Sequence, residues 1–172
     1  MTQLTEEQLR IRGYLQAQAA KMTVPQLIEK VRGDSAQLKA AAEAGERVDY
    51  ARRPSEDDWS VNEVMAHITD TCRGLNAGIL SALEGGEQPG ALLDALQRSD
   101  DVEPPTARFA ELEAEREALF ARLATATGDE HLETKWLHPM FGDLNWREWV
   151  LFLRIHDLDH ARQVEGIVAA LA

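Results

Sequence analysis

A single cysteine in 172 residues, Cys72, is too few for an intramolecular disulfide and excludes a Cys-x-x-Cys zinc ribbon or a dithiol redox site. No apolar run approaches the ~20 residues that would cross a bilayer, although apolar residues make up 44% of the chain, an ordinary globular share. Basic residues are scarce: 18 Lys and Arg stand against 30 Asp and Glu, for a net charge of -12 and a pI near 4.8. That charge repels phosphate backbones and anionic lipid headgroups, so neither nucleic acid nor a membrane is an expected partner. The opening MTQLTEEQLR is polar and acidic where a secretory leader is basic and then apolar, and the expectation is a cytoplasmic protein. With thiolates excluded, any metal falls to histidines and carboxylates.

No segment alternates as a strand does, whereas several repeat with helical period, which predicts an all-α chain. The length predicts one domain spanning residues 1–172, with a helical extension over about 1–21. A short helix is expected near 6–20 and long ones near 24–44, 61–84, 106–127 and 146–170. Four start signals have the capping-box form, in which a side-chain oxygen caps a backbone N–H and an acid or amide three residues on reaches back: Thr5/Gln8, Thr23/Gln26, Ser60/Glu63 and Asn145/Glu148. Glu63 and Glu148 are thereby read as caps rather than catalytic acids. Gly45, Gly85-Gly86 and Gly128 mark helix ends at which a left-handed residue is expected. The stretch EGGEQPGALLDALQRSDDVEPP is long enough to cross over a bundle, and its ALLDALQ segment could itself form a short helix.

Core stripes are visible on the first long helix (Val24, Leu27, Ile28, Val31, Leu38), on the second (Val61, Met65, Ile68, Cys72, Leu75, Ile79) and on the third (Phe109, Leu112, Leu119, Phe120, Leu123). Cys72 is read as a packing residue. Arg116 interrupts the third stripe, and is read either as snorkelling to the rim or as an inward group for an anionic substrate.

The chemistry gathers in RIHDLDHAR, residues 154–162. Trp149, Leu153, His156, His160, Val164, Ile167 and Leu171 recur at three or four residues, so both histidines face the core side of the last helix. Histidines at i and i+4 stack one turn apart and can aim at one ion. The alternative is two separate, partly buried histidines bonded to neighbours. Asp157 stands where HExxH metalloproteases carry a glutamate, but no third ligand follows downstream; Asp157 is expected to be an ordinary solvated charge. A third ligand must come from upstream, from His67, His131 or His138. His67 is preferred because it borders a core stripe, and its row continues with small residues, Thr71, Gly74 and Gly78, leaving room for a close helix or a cavity. His131 and His138 fall in an irregular stretch and are expected at the rim or exposed. Asp159 and Gln163, three and seven residues after His156, could orient ligands or substrate.

WSVNEVMAHITD (59–70), HPMFGDLNWREWVLFL (138–153) and HDLDHARQVEGI (156–167), in that order, resemble the DinB-like superfamily from about residue 22 onward. The resemblance implies a four-helix bundle with a long crossover between its second and third helices, here with an added N-terminal helix. It also implies a divalent metal, zinc or nickel with manganese or iron as alternatives, on one histidine of the second helix and an HxxxH pair of the fourth; those positions are His67, His156 and His160. Trp59-Ser60 and Gln163 match the family's lead-in and trailing glutamine, whereas Asp159 stands where many relatives carry a histidine or a basic residue. The implied activity is metal-dependent S-transfer from a low-molecular-weight thiol to a small electrophile, with a metal-dependent hydrolase or a non-catalytic, stress-related metal- or ligand-binding protein as alternatives, and a homodimer as the family habit.

Overall fold

A computed structural model describes residues 4–88 and 100–172. The ALLDALQ segment lies outside them. Among the described residues five helices run in chain order, α1 (Glu6–Lys21), α2 (Val24–Gly45), α3 (Val61–Leu83), α4 (Pro105–Leu123) and α5 (Trp146–Leu171). The fold is all-α in its architecture, as expected.

The helix starts follow from local chemistry. All four capping boxes form, each with the cap side chain accepting from the third backbone N–H and the third side chain returning to the cap N–H. At α3, for example, Ser60 N–H donates to Glu63 Oε2 at 2.8 Å and Glu63 N–H donates to Ser60 Oγ at 3.2 Å. Two backbone donors that α3 would otherwise strand are thereby satisfied. α4 has no side-chain cap and instead begins on Pro105, whose missing N–H costs nothing in the first turn.

α5 is the central element, packing against α2 and α3 along its length and against α1 near its start, while α4 packs on α3 and α2. Among the described residues the core is two apolar clusters. One joins Leu27, Val31, Ile79, Leu119, Leu123, Trp149 and Leu153; the other joins Leu38, Val64, Met65, Ile68, Cys72, Leu112, Ala161 and Val164. On α5 the divide between them falls at residues 154–160, so the histidine turn sits where the apolar packing is interrupted. α1 contributes little apolar surface, with Leu15 and Ala19 buried. It is tied down by Arg147, which donates to the carbonyls of Ala19 (2.7 Å), Met22 and Gly128 (2.7 Å). The bonds to Ala19 and Met22 satisfy carbonyls left unpaired at the end of α1.

Three expectations are corrected. The stretch before α5 is not wholly irregular: β1 (Trp136–His138) and β2 (Gly142–Leu144) form an antiparallel hairpin with Trp136 opposite Leu144 and His138 opposite Gly142. Strands of three residues are too short to establish an alternation in sequence, and Gly142, at φ +73°, makes the turn. His138 is consequently buried, packed against Phe141, Trp149 and Phe152, rather than at the rim. Gly45 is not left-handed; it closes α2 in close approach to α3, where an added Cβ would lie 2.6 Å from Val61 Cγ1. Gly85 (φ +73°) and Gly128 (φ +104°) are left-handed, but α4 ends at Leu123, ahead of Gly128. There the N–H groups of Thr127 and Gly128 turn instead to the Glu130 carboxylate.

Candidate metal centre

His156 and His160 lie one turn apart on α5, with ring centroids 4.5 Å apart. α3 brings His67 to them, at 5.7 Å from His156 and 5.1 Å from His160. All three are half-buried, and one ring nitrogen of each lies within 4.8 Å of the others. A tetrahedral ion with Zn–N bonds of ~2.0–2.1 Å sets its ligand nitrogens ~3.3 Å apart, a span within reach of small side-chain rotations. No other group of three histidine, cysteine or carboxylate donors is arranged this way among the described residues.

Two of the three rings have a side-chain partner at Nδ1. His160 Nδ1 is 2.8 Å from Gln163 Oε1, which fixes Nδ1 as the protonated, donating nitrogen and leaves the Nε2 lone pair for a metal. His67 Nδ1 is 3.3 Å from Thr71 Oγ1. Trp59, ahead of α3, meets His67 edge to face at 5.8 Å. Burial, and then the nearby His160, push His67 down to about 4. Burial, followed by His160, His67, Arg116 and His138, holds His156 well below its ordinary value. Both are therefore neutral near pH 7, with lone pairs available. Three imidazoles without a carboxylate suit zinc, nickel, copper or iron(II) and suit magnesium or calcium poorly.

The other expected site residues divide. Thr71 and Gln163 are brought to the histidines. Gly74 is exposed and Gly78 buried, so the small-residue row does not form one surface beside His67. Asp159 is exposed on the outer side of α5. Arg116 neither reaches the rim nor meets the histidines' open side. It is buried and donates through Nη1 and Nη2 to Asp157 at 3.0 and 3.1 Å. Asp157, expected in solvent, is fully buried, and it also accepts from Ser35 Oγ at 2.6 Å. Sequence reading missed Ser35, yet the signal was present: Ser35 continues the stripe Val31, Leu38, and Asp157 continues Val150, Leu153, Ala161, Val164.

Asp157 is the residue after His156, so α2 and α4 grip α5 at the very turn that presents its histidines to α3. On the gripping side, α2 and α4 leave a cleft of about 240 Å³ walled by Phe109, Leu112 and Phe120, with Ser35 and Arg116 also in its lining.

Residues 2–164 match the profile of one protein family, the DinB superfamily. No curated protein matches the chain. No described helix is long and apolar enough to cross a membrane.

Proposed function

The chain belongs to the DinB superfamily, and from that premise we propose that it is a divalent-metal-dependent S-transferase that joins a low-molecular-weight thiol to a small electrophile. The observation that carries the proposal is the meeting of His67, His156 and His160, from two helices far apart in sequence, with nitrogens within 4.8 Å. Zinc or nickel is the proposed ion, since its donors are all imidazole. Three protein ligands leave a position open to an exogenous group. A bound divalent ion would supply Lewis acidity that keeps the thiol as its thiolate at neutral pH.

The chain's own residues set the geometry. Gln163 and Thr71 fix the ring orientation of His160 and His67 through their Nδ1 atoms. Asp157, held by Arg116 and Ser35, fixes the α5 turn. In the transfer the thiol proton leaves to solvent, a sulfur–carbon bond forms, and the leaving group departs with the electron pair of its broken bond to carbon.

The test is S-conjugation with N-acetylcysteine, cysteine and glutathione against a panel of aryl halides and epoxides, using zinc- and nickel-loaded protein. Turnover that depends on both metal and thiol supports the proposal. Metal binding without turnover across the panel favours a non-catalytic binding protein, and metal-dependent turnover of ester substrates without thiol favours a hydrolase.

A further inference from the structure

Beyond His160, the last turns of α5 and the loop leading into α3 leave an open cleft of about 260 Å³, lined by Pro54, Asp58 and Trp59 on one side and by Gln163, Gly166, Ile167 and Ala170 on the other. Two of its lining residues connect the cleft to the histidines. Gln163, in its wall, is the residue bonded to His160, and Trp59, opposite, is the ring set edge-on to His67.

The lining has a definite chemical character. Trp59 and Ile167 supply aromatic and aliphatic surface, and Gly166 and Ala170 keep the floor open; a Cβ added at Gly166 would meet nothing within 4 Å. Among the described residues of the lining, Asp58 is the one that carries a charge. Its Oδ2 accepts from Ser55 Oγ at 2.7 Å, which holds the carboxylate in place and leaves Oδ1 for another donor. Gln163 uses Oε1 on His160, so its amide N–H groups remain as donors. An indole face beside a carboxylate favours a flat apolar body carrying a cation or an N–H or O–H donor, and disfavours an anion. The net charge of -12 acts in the same direction at longer range.

We infer that this cleft is the subsite for the electrophile's body, and that it selects neutral or cationic aromatic compounds, ring against Trp59 and polar group toward Asp58. The inference rests on the metal-site reading above, because the histidines are what the cleft would serve. A charge placed ~4 Å from a solvent-exposed carboxylate changes affinity by about five-fold.

Benzylamine, benzyl alcohol and phenylacetate present one ring size with positive, neutral and negative groups. Each is titrated into metal-free and zinc-loaded protein and followed by the ¹⁵N–¹H resonance of the Trp59 indole, assigned with Trp59→Phe. The metal-free series decides, since amine and carboxylate can bind zinc. The expected result is benzylamine binding about five-fold tighter and phenylacetate about five-fold weaker than benzyl alcohol, about 25-fold between the two charged ligands, with Asp58→Asn removing that preference. Gly166→Leu, which fills the open floor and replaces a helical glycine with a better helix former, is expected to remove binding of all three with metal content unchanged. Phenylacetate binding as tightly as benzylamine, or a Gly166→Leu protein that binds like wild type, overturns the inference. If the charge series holds in a protein that takes up no metal, the cleft's charge selectivity stands, while the metal reading falls and with it the cleft's role as electrophile subsite. If the protein takes up zinc and shows no charge preference, the metal reading stands and the subsite falls.

Discussion

Replacing Arg116 by methionine would leave the Asp157 carboxylate buried with Ser35 as its remaining partner. Both Arg116–Asp157 bonds are charge-assisted and bidentate, and the two side chains are 5% and 0% exposed, so solvent cannot replace the lost partner. Removing one member of such a pair costs about 3–5 kcal/mol, most of it the desolvation of the abandoned charge. Replacing both members with apolar side chains removes that charge as well, and the double variant Arg116→Met/Asp157→Val should fall within about 2 kcal/mol of wild type. Urea unfolding of metal-free protein gives both numbers. At this chain length the single variant should lower the melting temperature by on the order of 10 °C. A single variant costing under about 1 kcal/mol, or a double variant no better than the single, would refute the claim that an isolated buried charge is what the network prevents. The double variant also asks whether α5 is held in register by the pair: in cobalt-loaded protein, an altered visible spectrum with stability retained would show that Asp157 orients the histidine turn.

Gly45→Ala should destabilise the bundle by about 1–3 kcal/mol, because its Cβ would press on Val61 Cγ1 at 2.6 Å; Val61→Ala should recover most of that loss, and two additive costs in urea unfolding would contradict the steric account. Burial holds His138 at about 4, against an ordinary 6.5. Below pH 6.5 the unfolded chain therefore binds a proton that the folded chain refuses, and stability is lost as pH falls from 6.5 through 4, by about 3 kcal/mol in total for this group. His138→Asn, which keeps an acceptor for the Met140 N–H, should lessen the wild-type loss across that window by about 3 kcal/mol, the depressed His67 and His156 carrying the remainder; parallel curves would show that His138 carries no such linkage.

Helix content was legible because α-helical order is written locally. Each capping box needs only two residues three apart, and all four form. The meeting of the three histidines was legible because His156 and His160 sit a helical turn apart on a core-facing stripe, and because the family resemblance pointed to His67. What could not be read had causes beyond the local window. In sequence Asp157 is one more acid in HDLDH; its burial is made tolerable only by Arg116 and Ser35, which arrive from two other helices. His138 is set by a hairpin whose strands are too short to alternate visibly. At Gly45 the residue type suggests conformational freedom, whereas what the fold uses is the missing side chain.

The central claim is that His67, on α3, and His156 and His160, on α5, hold one metal ion. The most direct measurement is elemental mass spectrometry of untagged protein, wild type beside His67→Ala and His156→Ala, after exposure to zinc, nickel, manganese and anaerobic iron(II). The account predicts about one equivalent in the wild type and loss of it in both variants, each of which remains folded by circular dichroism. A wild type that takes up none of these metals, or variants that keep theirs, would contradict it.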